Sequence, residues 1–234
     1  KGDIKTPLLT VHDIVCALRR VGLDSDVPLR EAPQCLRSKQ AWQTLWKALD
    51  ALIARRQTQE AREQALQSLK TCSIALDPGD ILHPPSRLFR GSPMTQQLFP
   101  EVKWLAEHSD SDGIPTTLVP RFGAEEAIHV LTEKTEADLE DQWRSGELDV
   151  EALYSWFESR RHEVLEYRDV AQQLCDLSIW PSSKGLAPLT DLYIPGDFDD
   201  PLDLAGLISL QALGGRREFL EDLGVQGLTF GTYV

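Results

Sequence analysis

Apolar residues recur at helical spacing through most of the chain and switch to short extended runs at two places. Val11, Ile14, Val15, Leu18 and Val21 predict a helix, opened by the Thr10/Asp13 pair of a capping box and closed at Gly22. Residues 24–38, with Pro28 and Pro33, read as a loop holding an extended piece. Ser38 can cap the next helix, whose stripe is Trp42, Leu45, Trp46, Leu49, Leu52 and Ile53, before Ala65, Leu66 and Leu69. Residues 72–76, the turn Asp77-Pro78-Gly79-Asp80 and residues 81–83 then predict a hairpin, stopped by Pro84-Pro85. Residues 90–120, rich in Gly, Pro and Ser, are the most loop-like part of the chain.

Helices resume with a capping box at Thr135/Asp138 and a break at Gly146. Asp149 caps a further helical run through Leu153, Trp156, Phe157, Val164, Leu165 and Leu174, read as one long helix or two abutting ones. A second hairpin spans 177–187 about Ser182-Ser183-Lys184-Gly185, and after an acidic loop and an apolar stretch at 202–213, Gly214-Gly215 precedes a last helix at 216–223. The fold class this predicts is α+β, predominantly helical, built from tandem units of helices followed by a short hairpin and a short helix.

The two hairpin regions repeat one another. Residues 69–89, LKTCSIALDPGDILHPPSRLF, run alongside 174–193, LCDLSIWPSSKGLAPLTDLY, with one residue of slack in the turn. Ile74 then falls on Ile179, Pro84 on Pro188, Leu88 on Leu192 and Phe89 on Tyr193. The pattern apolar-x-x-apolar-Gly ends at Gly22, Gly123 and Gly224, spaced 101 residues apart both times, and marks a unit end. Repetition of this kind means one supersecondary unit used again, each copy covering its neighbour's apolar face. It divides the chain into 1–68, the end of a preceding unit, 69–173, a complete unit, and 174–234, the start of another. Ile74 and Ile179 are expected at equivalent buried strand positions. Lys1-Gly2-Asp3 at one end and the apolar run 230–234 at the other read as an excised fragment.

Charge and composition narrow the function classes. A net charge of −13 argues against nucleic acid and against an anionic membrane surface. No apolar run approaches the roughly 20 residues that span a bilayer. Four cysteines without CxxC pairing (Cys16, Cys35, Cys72, Cys175) fit reduced, buried thiols of a cytoplasm rather than disulfides or zinc. The chain has no asparagine and twice as many arginines as lysines, a bias that fits a GC-rich bacterial genome.

The catalytic inventory is short. Asp110-Ser111-Asp112-Gly113 has His108 and Val119 where a calcium loop needs carboxylates, and Lys184-Gly185 lacks the glycines and the Lys-Ser/Thr order of a phosphate loop. The five histidines are dispersed and read as surface or capping groups, the six tryptophans as core, and Ser73 and Ser178 as caps on the preceding helix ends. Asp197, Asp199 and Asp200 could hold a divalent cation through their carboxylates, which leaves a metal-dependent hydrolase as the alternative to a non-catalytic segment; acidic loops are more often only hydrated. No catalytic residue and no cofactor is assigned.

The element of the second copy, Ile179-Trp180-Pro181, Gly185-Leu186-Ala187-Pro188-Leu189, Leu192-Tyr193-Ile194-Pro195 and Phe219-Leu220-Glu221-Asp222-Leu223-Gly224-Val225, resembles the recurrent unit of sacsin-like proteins. In these very large chains a GHKL-type, Hsp90-related ATPase domain is followed by long repeat regions. The first copy carries Ala75-Leu76 where the second has Trp180-Pro181, and the likeness covers about two thirds of the chain. A GHKL site needs a magnesium-binding Asn and an Asp-x-Gly-x-Gly motif, and this chain has neither. The resemblance therefore implies a segment outside the ATPase domain: a cytoplasmic, chaperone-like scaffold that binds protein partners or other domains of its parent chain. It implies no nucleic acid and no membrane.

Overall fold

The computed structural model describes residues 10–55, 58–106, 114, 117–196 and 206–229. It is α+β and predominantly helical, with ten α-helices and seven short strands among those residues. The chain divides into two compact units, Lys1–Arg121 and Phe122–Val234. This division differs from the sequence period, which starts at each hairpin. The reason is packing: the helices before a hairpin close its core, so helices and hairpin fall in one body.

In the first unit, α1 (Val11–Arg20) opens on the Thr10/Asp13 capping box, and α2 (Lys39–Ala54) opens on Ser38. At Gly22, φ +83, the chain leaves α1 in a left-handed turn, with Leu23 N donating to Leu18 O at 3.1 Å. α3 (Gln59–Leu69) follows. Val15, Leu18, Trp42, Trp46, Leu49 and Leu69 pack into one core with Ile74, Leu82 and Leu88. β2 (Ala75–Leu76) and β3 (Ile81–His83) form the expected hairpin, and β1 (Val27–Pro28) adds to the outer edge of β3, pairing Val27 with Leu82. Pro28 sits where an edge strand tolerates a missing N–H. A short helix, α4 (Pro93–Leu98), lies inside the stretch read as loop; Ser92 caps it and Pro93 occupies its first turn.

The second unit opens with α5 (Ala124–Thr132), a helix the sequence reading passed over. Then come α6 (Glu136–Ser145) on the Thr135/Asp138 box and α7 (Val150–Glu158) capped by Asp149. The run read as one or two helices is three, ending with α8 (Arg161–Glu166) and α9 (Arg168–Asp176). The hairpin is β4 (Trp180–Ser182) with β5 (Gly185–Ala187). β6 (Leu192–Tyr193) pairs in parallel with β7 (Gly206–Leu207), and α10 (Glu218–Asp222) closes the described chain.

The two hairpins share a register residue for residue. Ala75 faces His83 as Trp180 faces Ala187, and Leu76 faces Leu82 as Pro181 faces Leu186. Ile74 and Ile179, each one residue before its strand, are 1% and 2% exposed. A single 3-10 turn follows in each, Pro85–Arg87 and Leu189–Asp191, and Leu88 and Leu192 are buried beyond it. Pro84 and Pro188 precede these turns, and Phe89 and Tyr193 are half-buried. The likeness extends into parallel pairing that the sequence did not suggest. Leu105 N donates to Phe89 O at 2.9 Å as Ile208 N donates to Tyr193 O at 3.0 Å. Arg90 N reaches Pro120 O as Ile194 N reaches Gln226 O, each at 2.9 Å.

That pairing corrects the glycine register. Pro120 and Gln226 are equivalent, so Gly123 is not the partner of Gly224. Gly224 has φ +87 and repeats the Gly22 turn, with Val225 N bonded to Leu220 O at 3.0 Å. Gly123 is extended backbone at φ −111 and begins a helix instead of ending one: its N–H meets Glu126 Oε2 at 3.0 Å, and Ala124 N meets Glu163 Oε2 at 3.2 Å.

Candidate functional site

A groove of about 470 Å³ runs between α5 and α9 in the second unit. Helical spacing builds its walls. Ala127, Ile128 and Leu131 turn one face of α5 inward, which leaves Glu125, His129 and Thr132, at i, i+4 and i+7, along the open side. On α9 Leu174 is buried, and Gln173, Asp176 and the following Leu177 complete the lining. Leu177, 8% exposed, supplies an apolar floor. The lining carries two carboxylates and no lysine or arginine. Asp176 accepts from Gln172 Nε2 at 2.9 Å, and His129 lies 3.5 Å from Glu133, pointing along its own helix. Thr132 donates its hydroxyl to Ile128 O at 2.7 Å on its own helix, and the groove presents an acidic rim over an apolar floor.

An ionic cluster in the first unit gathers about His83 and Asp26. His83, read from sequence as a surface or capping group, is 3% exposed on the central strand β3. Its Nε2 lies 3.0 Å from Asp77 Oδ2, beyond β2, and its Nδ1 lies 3.0 Å from Asp26 Oδ1, before β1, the second approach being off the hydrogen-bond axis. One ring thus ties all three strands of the sheet. Asp26 also accepts from Lys103 Nζ at 2.9 Å and from Arg87 at 3.3 Å. Nε2 is held by Asp77 and Nδ1 faces Asp26 on a ring that is almost wholly buried, the arrangement of a structural tie. The signal was present in the sequence as Asp-x-x-x-Ile-x-His across the hairpin, but its second carboxylate comes from 57 residues upstream.

Burial pushes the Asp26 carboxyl up, but bonds from Lys103 and His83 outweigh it and hold the group below its ordinary 3.8. A carboxyl depressed in the folded state contributes stability that is complete above its unfolded value and is lost as pH falls through the folded one. Urea unfolding at a series of pH values is expected to show Asp26→Asn flattening the acid limb below about pH 4. An unchanged limb would exclude Asp26 as its source.

In the second unit the hairpin edge that β1 covers in the first is met by a side chain. Glu140 on α6 accepts from Leu186 N at 2.7 Å and pairs with Arg144 at 2.8 Å. Ser178 donates to Glu136 on the same helix at 2.9 Å, and Ser73 donates to Ser25 O, so neither serine caps the preceding helix as expected. Arg216 joins Glu158 at 2.9 Å and lies over the Tyr154 ring; burial, with Glu158 adding, pushes the Tyr154 phenol up to about 12. These groups hold helices and strands together.

The remaining expectations divide. Trp42, Trp46, Trp104, Trp156 and Trp180 are core, and Trp143 is half-buried. All four thiols are free, but only Cys72 is buried, and burial pushes its thiol up; Cys35 is exposed and Cys16 and Cys175 are intermediate. Among the described residues no group of three His, Cys, Asp or Glu is placed to hold a metal ion, and no helix is long and apolar enough to cross a membrane. Asp197, Asp199, Asp200 and His108 lie outside the described residues. No family model matches the chain, and no curated protein or solved structure matches it either.

Proposed function

We propose that this chain is a non-catalytic scaffolding segment that binds protein partners or other domains of its parent chain, in the manner of the repeat regions of sacsin-like, chaperone-like proteins of the cytoplasm. The observation that carries the reading is the shared hairpin register, with Ala75/His83 and Leu76/Leu82 repeated as Trp180/Ala187 and Pro181/Leu186. A supersecondary unit used twice, with a common 3-10 turn and common parallel pairing, is the design of an array that presents surface. The ionisable groups support it: His83, Asp26, Glu140 and Arg216 are each committed to neighbouring strands or helices. ATP chemistry, on this reading, belongs to another domain.

Calorimetric titration of the whole chain with ATP and Mg²⁺, then with Mg²⁺, Mn²⁺ and Ca²⁺ alone, tests it. Flat heats are expected throughout. Micromolar ATP binding would overturn the non-catalytic reading, and saturable cation binding lost in Asp197→Asn/Asp199→Asn would favour a metal-dependent hydrolase instead.

A further inference from the structure

We propose that the groove between α5 and α9 is a docking site for a basic segment of a protein partner, seating a lysine or arginine side chain; this rests on the scaffolding reading above and names where that scaffold binds. Three features of the groove lead there. Its volume, about 470 Å³, lies within the roughly 300–1,000 Å³ of clefts that take small ligands. Its floor is apolar at Leu177, which suits the methylene stem that lysine and arginine lay along apolar surface while the charged head seeks a polar rim. Its rim carries Glu125 on one wall and Asp176 on the other, with no lysine or arginine among the lining residues to neutralise them.

The choice of occupant follows from charge. Asp176 has a neutral partner, Gln172, the lining histidine, His129, lies against Glu133 of its own helix, and no lysine or arginine lines the site, so an incoming ammonium or guanidinium meets Glu125 and Asp176. An acidic partner segment would face both carboxylates together with a chain of net charge −13. A wholly apolar segment would strand the carboxylates against it and lose their hydration. The same net charge raises the encounter rate of a basic partner over the whole surface, and the groove then supplies register.

The test is fluorescence anisotropy of the full chain with a labelled peptide of Lys, Leu and Ala, and with its counterpart carrying Glu for every Lys. The basic peptide is expected to bind, more weakly as salt is raised, and the acidic one not to bind. Glu125→Gln/Asp176→Asn is expected to weaken the basic peptide about tenfold, and Glu125→Lys/Asp176→Lys to abolish its binding. Asp50→Lys/Glu60→Lys, which makes the same charge change on exposed positions of α2 and α3, is expected to leave it within about twofold. Circular dichroism checks that each variant keeps its helix content; the isosteric pair remains informative if the charge reversal unfolds. Equal loss in the α2/α3 control would overturn the groove in favour of diffuse attraction, and so would absence of binding to the native chain. If the peptide fails to bind while ATP and cations also give flat heats, the groove assignment falls and the scaffolding reading does not.

Discussion

Trp46→Ala and Trp180→Ala are each expected to lower the unfolding free energy by about 3–5 kcal/mol, the range for emptying a buried aromatic position. Both indoles are 2% exposed. Each donates its N–H to a backbone carbonyl beside its hairpin, Trp46 to Ile74 O at 2.9 Å and Trp180 to Leu174 O at 3.2 Å. Trp180 also packs edge-on against Tyr154, with ring centroids 6.5 Å apart. Truncation removes the burial and leaves a carbonyl without its donor. Phenylalanine restores most of the volume, so Trp46→Phe should recover all but the hydrogen bond, about 1 kcal/mol, and part of the lost packing. Urea unfolding followed by far-ultraviolet circular dichroism reads the difference. A loss below about 1 kcal/mol for either alanine would mean that the indole does not hold its hairpin.

Ile74→Ala and Ile179→Ala are expected to cost about 2–5 kcal/mol each, and the corresponding valines about 0.5–1.5. The two positions share burial, hairpin register and the turn that follows. Their penalties should therefore agree within the spread that local relaxation allows, since cavity collapse differs from site to site. Scanning calorimetry of the single variants measures both. A large penalty at one position and none at the other would show that the common backbone pattern does not carry a common core.

Much of this fold could be read from residues. Capping boxes at Thr10 and Thr135, caps at Ser38 and Asp149 and the left-handed Gly22 are local chemistry, and each helix start they predict is where the helix begins. The hairpins were legible because turn residues interrupt apolar runs. What was missed is non-local or locally ambiguous. The parallel partners of Phe89 and Tyr193 lie more than a dozen residues on and carry no periodicity of their own. Gly123 follows an apolar-x-x-apolar spacing that equally fits a helix end, and only Glu126 and Glu163 reaching its backbone decide for a helix start. The groove was illegible for the same reason: Glu125 and Asp176 are 51 residues apart, and only the packing of α5 on α9 brings them to one cleft.

The placement of 192–194 has a consequence for synthesis. This short extended piece is clasped by Gly206 and Leu207 and, at Ile194, by Gly227, all three of which are translated after it. A nascent chain thus displays residues 192–194 with an open flank until Leu228 has emerged, because Leu228 N closes the last bond to Ile194 O. During that interval the flank offers unpaired amides to any passing strand. Pausing during translation of this stretch would lengthen the exposure.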